Sequence, residues 1–184
     1  MLKVCAIDLD GVLCRYPGDW LRFINKEKKE KFADLNEAKS NLSFHDYKDL
    51  KLKYRKSGIK AKIRAVKDAS LLTESLELLG YTIIILTARP IYQIPEVFRD
   101  TLAWLKTNEI KYDLLFAGGK DKHIQIIKYF KDLKFMVEDN AEIANNVAEL
   151  GYKVYLMDNP YNQQDLKQGV VRINQLTEVI ENER

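Results

Sequence analysis

No stretch of this chain reaches the roughly eighteen uninterrupted apolar residues that a membrane-spanning helix requires, which excludes a helical membrane protein. Cysteine is scarce: only Cys5 and Cys14 occur in 184 residues, too few for a disulfide scaffold. The residues between them include the candidate site described below, so two reduced thiols and a cytoplasmic setting are expected. Histidine is as rare. His45 and His123 have no His/Cys grouping of the kind zinc sites use, and both are expected on the surface. Internal repeats, low-complexity tracts and flexible linkers are missing too. The run after Met1-Leu2-Lys3 is strand-like and leads directly to Asp8, so a soluble protein without a signal peptide is expected.

What is present describes a packed globule. The 46% apolar content in 21.5 kDa suits one domain with room for a modest insertion. The net charge of +3 is unevenly spread: Lys26 to Lys67 carries fourteen Lys or Arg against six Asp or Glu, so the remainder is slightly acidic. Such a basic segment is ordinarily a solvated helical face. Beside an acidic site it also suits a phosphorylated substrate.

Apolar runs of strand length recur at Leu2 to Ile7, Tyr81 to Leu86, Asp113 to Phe116, Phe135 to Val137, Lys153 to Met157 and Val170 to Ile173. Helical spacings lie between them: Leu72, Leu76 and Leu79 before Gly80; Phe98, Leu102 and Leu105 before Asn108; Ile143, Val147 and Leu150 before Gly151. Alternating strands and helices predict an α/β fold, a mostly parallel sheet with helices on both faces. Residues 15–66 break the alternation. There Trp20, Phe23 and Ile24 share one helical face, and Tyr47, Leu50 and Tyr54 another that begins with Ser43 and Asp46 in capping-box spacing and ends near Gly58. An insertion after the first strand's carboxyl end should lie over the ligand crevice as a cap, leaving 1–14 and 67–184 as the core. The cap aromatics are expected to form its own small core, and any ring left facing the cleft is free to stack a nucleobase.

Four strand ends carry polar residues. Asp8-Leu9-Asp10-Gly11 follows the first strand; two carboxylates two residues apart share one face and repel unless a cation or proton intervenes. A divalent metal resolves that, and Mg²⁺ prefers such hard oxygen ligands. Gly11 lets the chain turn and approach a bound anion. The second strand ends in Leu86-Thr87-Ala88-Arg89-Pro90. After the third, Gly118-Gly119-Lys120-Asp121-Lys122 opens a helix whose apolar positions include Ile124 and Ile127, and the fourth ends in Val137-Glu138-Asp139-Asn140.

In this order the four segments resemble the motifs of the haloacid dehalogenase superfamily of phosphotransferases, over Leu2 to about Met157, with a Rossmann-like core and the insertion where that superfamily carries a helical cap. Residues 54–58 and 86–90 are also similar to the phosphatases grouped near the 5′(3′)-deoxyribonucleotidases. The resemblance implies that Asp8 is the nucleophile that becomes an aspartyl phosphate. It makes Asp10 the acid and then the base, with its backbone carbonyl on Mg²⁺. Asp139 would ligate the metal, and Glu138 would do so directly or through a bound water. Thr87, Ala88, Lys122 and Arg89 would hold the substrate phosphate, with Lys122 favoured over Lys120; Arg89 alternatively forms a surface salt bridge. Asn140 either orients the carboxylate beside it or caps a helix.

The function so implied is a Mg²⁺-dependent phosphomonoesterase acting on a small phosphorylated metabolite, a nucleoside monophosphate first. A nucleic-acid 3′-end phosphatase is the alternative enzyme, tracking phosphates with Lys48, Lys51, Lys53, Arg55, Lys56, Lys60, Lys62 and Arg64. A phosphomutase and a non-catalytic nucleotide- or phosphate-binding module are further readings. A membrane partner is not expected.

Overall fold

The computed structural model describes residues 2–184, and the Lys120 side chain, the alternative to Lys122, lies outside what it describes. Six strands, β1 (Lys3–Asp8), β2 (Tyr81–Thr87), β3 (Leu114–Ala117), β4 (Leu133–Glu138), β5 (Lys153–Met157) and β6 (Val170–Ile173), form one sheet. Its order is β3-β2-β1-β4-β5-β6, and every pairing is parallel. The helices are α1 (Gly18–Lys28), α2 (Leu35–Asn41), α3 (Phe44–Lys56), α4 (Ala69–Leu78), α5 (Pro95–Thr107), α6 (Lys122–Tyr129), α7 (Ala141–Glu149) and α8 (Thr177–Glu183).

β1 reads as a continuous apolar run because both of its faces are covered. Cys5 and Ile7 pack into one core, with Leu72, Leu76, Phe135 and Tyr155, while Val4 and Ala6 pack into the other, with Ile84, Met136 and Val147. This period of two carries Asp8 to the carboxyl end of the central strand. The chain winds outward from β1 to β2 and β3, then crosses back to β4 on the other side. The β1–β4 boundary is therefore the point where strand order reverses, and parallel sheets open their ligand crevice there. The α/β class expected from the sequence is the one that forms.

Residues 15–66 hold α1, α2, α3 and a single 3₁₀ turn at Ile59–Ala61. The two stems are tied together: Arg15 N–H donates to Arg64 C=O at 2.9 Å, and Val66 N–H to Leu13 C=O at 2.8 Å. Trp20, Ile24, Ala38, Leu50 and Tyr54 form a core within the segment, with the Trp20 ring 5.0 Å from Tyr54 and 5.6 Å from Tyr47. Ser43 caps α3 by accepting from Asp46 N–H at 3.0 Å, the expected capping-box spacing.

Several faces differ from the sequence reading. On α5 the buried residues are Val97, Thr101, Trp104 and Leu105, while Phe98 and Leu102 are exposed. Two polar contacts rotate the helix: Thr101 Oγ1 accepts from Arg89 Nη1 at 3.2 Å, and Trp104 Nε1 donates to Ile63 C=O at 2.6 Å. On α6 it is Ile126 that is buried, with Ile124 exposed. Leu150, just past α7, is exposed, while Ala144, Val147 and Ala148 make that contact. His123, expected at the surface, is buried in the first turn of α6; His45 is exposed.

Candidate active site

Because β1 and β4 are neighbours, their carboxyl ends bring Asp8, Glu138 and Asp139 together, with one oxygen from each within 4.8 Å of the others. The first residue of α6 adds Lys122. Its Nζ hydrogen-bonds Asp8 Oδ1 and lies 3.3 Å from Glu138 Oε2, and all three side chains are buried. Three carboxylates against one ammonium leave a deficit of positive charge away from water. Burial drives the Asp8 carboxyl up to about 7; Lys122 opposes that rise, and Glu138 and Asp10 add to it. Asp139 is raised in the same way, by burial first and then by Asp8 and Glu138. Burial would lower the Lys122 ammonium, but Asp8 and Glu138 outweigh it and the net direction is upward.

Glu138 divides its carboxylate. Oε1 accepts the N–H groups of Asp139 at 3.1 Å and Asn140 at 3.2 Å, whereas buried Oε2 has no hydrogen-bond donor. Hard oxygens, excess negative charge and a buried carboxylate oxygen that receives no hydrogen bond among the described residues fit a small divalent cation such as Mg²⁺. Gly11 is fitted to the same cluster. Its φ is +102°, and a Cβ there would stand 1.9 Å from Asp139 Oδ2, so the glycine permits the close approach of this carboxylate. Asn140 caps α7, accepting from Glu142 and Ile143 N–H.

Asp10 stands apart from the carboxylate cluster. Arg89 grips both of its oxygens, Nε to Oδ2 at 2.9 Å and Nη2 to Oδ1 at 2.6 Å; Lys60 Nζ lies 3.4 Å from Oδ2, and Cys14 Sγ donates to Oδ1 at 3.3 Å. Burial would raise the Asp10 carboxyl, but the guanidinium and the ammonium outweigh it and hold it well below the usual carboxylate range. Arg89 therefore makes neither a surface salt bridge nor an open contact: it is 3% exposed and committed to Asp10 and Thr101. Thr87 is fully buried, its hydroxyl oxygen accepting Arg89 N–H at 3.1 Å, while Ala88, Arg89 and Pro90 form the cavity wall at this strand end.

These groups open into a cavity of about 970 Å³. Its far wall comes from residues 15–66 and carries Tyr16, Lys51, Arg55 and Lys60, and the segment after β5 adds Tyr161 and Asn162. Tyr161 donates to Asp139 Oδ2 at 2.6 Å, and Asn162 Nδ2 donates to Asp139 C=O at 2.7 Å. The motifs of the resemblance end at about Met157 and include neither residue of this pair, although a turn leaving β5 lies on the same sheet edge. Of the eight basic residues weighed as a phosphate-tracking surface, only Lys51, Arg55 and Lys60 line the cavity. Lys48 lies over the Phe44 ring, and Lys53 faces Glu27 at 4.0 Å. Trp20, Phe23, Tyr47 and Tyr54 are not on the wall. Cys5 and Cys14 are buried free thiols, and no helix among the described residues is long and apolar enough to cross a membrane.

A parallel sheet of this order, with an Asp-x-Asp-Gly turn after the central strand, a helix-opening lysine and an acidic pair on the next strand, is the arrangement that the resemblance to the haloacid dehalogenase superfamily implies. The chain belongs to the family described as "5′ nucleotidase, deoxy (Pyrimidine), cytosolic type C protein", which matches residues 2–181. A nucleotidase of Clostridium acetobutylicum is 32% identical over 79 residues, covering 43% of this chain and 41% of the relative. The match thus spans about two fifths of that relative's length. In fold, the chain is similar to a haloacid dehalogenase-like hydrolase from Streptococcus pneumoniae, with a TM-score of 0.70 at 14% identity over 100% of this chain and 99% of the other. It is also similar to a predicted phosphatase from Clostridium acetobutylicum, with a TM-score of 0.67 at 13% identity over 99% and 98%.

Proposed function

We propose that the protein is a Mg²⁺-dependent phosphomonoesterase that works through an aspartyl-phosphate intermediate on a small phosphorylated metabolite, a nucleoside monophosphate first. The observation that carries this reading is the cluster of buried Asp8 and Glu138 with half-buried Asp139, and Lys122 bonded to Asp8. Family membership and the partly matched nucleotidase support the nucleoside monophosphate.

In this mechanism an Asp8 oxygen attacks phosphorus. The Asp8–phosphorus bond forms as the bond to the leaving oxygen breaks, and Asp10 protonates that oxygen. Water then attacks phosphorus, Asp10 takes its proton, and Asp8 is released with inorganic phosphate. Lys122 neutralises the phosphoryl oxygens, the Thr87 hydroxyl and the Ala88 N–H hold them, and Arg89 orients Asp10 while adding positive charge on the phosphoryl side. Asp8, Asp139, the Asp10 carbonyl and Glu138, directly or through water, would hold Mg²⁺, which when bound supplies charge neutralisation at the transferring phosphoryl group. Because Asp10 is held ionised before substrate arrives, the Arg89 and Lys60 contacts must loosen for it to carry a proton. Two buried thiols suit a reducing, cytoplasmic setting.

The test is phosphate release from nucleoside 5′- and 3′-monophosphates, sugar phosphates and a 3′-phosphorylated oligonucleotide, with Mg²⁺ or EDTA and with Asp8→Asn as control. Release that needs both the metal and Asp8 is expected, and release insensitive to Asp8→Asn would overturn the mechanism. Of the eight basic residues, three line the cavity, which favours a small substrate over an oligonucleotide.

A further inference from the structure

The two walls of the cavity differ in charge. On the core side, Lys122 and Arg89 face Asp8, Asp10, Glu138 and Asp139, so carboxylates outnumber cations. On the wall from residues 15–66 the order is reversed: Lys51, Arg55 and Lys60 project into the cavity, and the carboxylate that meets them is Asp10, at 3.4 Å from Lys60. Lys51 and Arg55 are one helical turn apart on α3 and therefore share a face. Neither has a carboxylate within 4 Å among the described residues; the Lys51 ammonium donates to Tyr16 Oη at 2.8 Å.

This wall is also poorly suited to stacking an aromatic base. Tyr16 is its one ring, and ammonium groups already stand over it, Lys51 at 5.2 Å and Lys60 at 5.6 Å from the centroid. The same Lys51 Nζ is 4.6 Å from the Trp20 ring and 6.0 Å from that of Tyr54, so packed aromatics fix its position. Burial, followed by the nearby charges of Lys60 and Arg55, pushes its pKa down to about 7. An anion brought between these groups would relieve their mutual repulsion and replace lost solvation.

We infer that Lys51 and Arg55, backed by Lys60, form an anion subsite at the leaving-group end of the cavity, which selects phosphomonoesters whose leaving group carries a second phosphate. This rests on the phosphatase reading above and moves its preferred substrate from a monophosphate to a compound that carries a second phosphate. The scissile phosphate takes the core wall with Lys122, and the second phosphate takes the opposite wall.

The test uses substrates matched except for the second phosphate: deoxyadenosine 5′-monophosphate against its 3′,5′-bisphosphate, and fructose 6-phosphate against fructose 1,6-bisphosphate. Phosphate release by the wild-type protein gives kcat/KM, and calorimetric binding of the same four compounds to Asp8→Asn in Mg²⁺ gives affinity without turnover. In at least one pair the bisphosphate is expected to be favoured about 30-fold or more in both readouts, the scale of charge-assisted contacts to a second anion. Arg55→Gln, at a partly exposed helix position, should reduce that ratio to within about threefold of unity, and Arg55→Lys should restore part of it. Equal kcat/KM and equal affinity within both pairs would overturn the subsite and leave the phosphatase intact. No turnover of any compound, with the bisphosphate still bound more tightly and that advantage lost in Arg55→Gln, would support the subsite and overturn the phosphatase.

Discussion

Asp10 and Arg89 form a two-point ion pair inside the protein, with both carboxylate oxygens bound and the Arg89 side chain 1% exposed. The guanidinium is itself anchored to Thr101 on α5, so the acid proposed for the leaving oxygen is aimed by a helix that does not line the cavity. Arg89→Met should lower kcat at least about 100-fold, the lower end of what a positioned general acid contributes. Removing one partner of a buried pair should also lower unfolding free energy by about 3 kcal/mol, with Lys60 limiting the loss. Arg89→Lys restores the charge without the two-point grip, so it should recover stability more fully than kcat. Steady-state kinetics beside urea unfolding measure the two effects separately; equal recovery of both would mean that the grip does not orient Asp10.

The close approach of Gly11 to Asp139 makes a second change informative. In Gly11→Ala the new methyl would stand 1.9 Å from Asp139 Oδ2, at a φ of +102° that side chains rarely adopt, so the carboxylate or the turn must shift. The Mg²⁺ concentration for half-maximal phosphate release should rise about tenfold or more, the scale seen when groups around a metal ligand are disturbed. A lowered Tm with unchanged Mg²⁺ dependence would confine the glycine's role to the backbone.

The sheet and its strand-end chemistry were legible because parallel strands buried on both faces leave apolar runs that stop abruptly at polar residues, as at Ile7-Asp8 and Val137-Glu138. Helix faces were less legible. Apolar spacing selects Phe98 and Leu102 on α5, yet two long-range polar contacts, from Arg89 to Thr101 and from Trp104 to Ile63, turn that stripe outward. The seven residues of α2 bury only Ala38, too little for any periodicity to register; its start is set by Asp34, which accepts from Asn36 and Glu37 N–H. The basic character of residues 26–67 could be counted, but the partition of its charges between cavity and solvent depends on where α3 and the Ile59–Ala61 turn point.

At the opposite end of the sheet, Glu183 on α8 accepts hydrogen bonds from Tyr81 at 2.5 Å, Tyr155 at 2.7 Å and Lys153 at 3.0 Å, fastening the last helix to β2 and β5. Burial would raise this carboxyl, but the three donors outweigh it and hold it below the ordinary glutamate value of 4.5. A carboxylate depressed on folding stabilises the native state above its unfolded pKa, and that contribution is lost as pH falls through the folded value. Glu183→Gln should therefore cost about 1–3 kcal/mol at pH 7, as expected for buried donors left poorly matched. The gap between variant and wild type should narrow below pH 4.5. Urea unfolding of both proteins at pH 7 and pH 3.5 measures this; a gap unchanged between the two would rule out the charge as its source.

Asp139 is held from behind as well as from within the cluster. Tyr161 fixes its Oδ2, Asn162 fixes its backbone carbonyl, and Arg172 on β6 fixes Asn162 through Nη1 to Oδ1 and Nη2 to the carbonyl, both at 2.9 Å. Arg172 and Asn162 thus form a chain from the edge strand to the backbone of Asp139, the proposed metal ligand, while Tyr161 reaches its carboxylate directly. Tyr161→Phe removes a hydrogen bond to the carboxylate itself and should weaken Mg²⁺ binding about 10-fold. Arg172→Met acts two links away and should weaken it less, while lowering stability by about 1 kcal/mol through the backbone carbonyl left unmatched on Asn162, whose side-chain oxygen keeps the Asn159 N–H. Calorimetric titration of Mg²⁺ into each variant orders the two effects. If Arg172→Met weakened the metal as much as Tyr161→Phe, the backbone carbonyl of Asp139, rather than its hydroxyl-bound oxygen, would be the contact that sets the ligand.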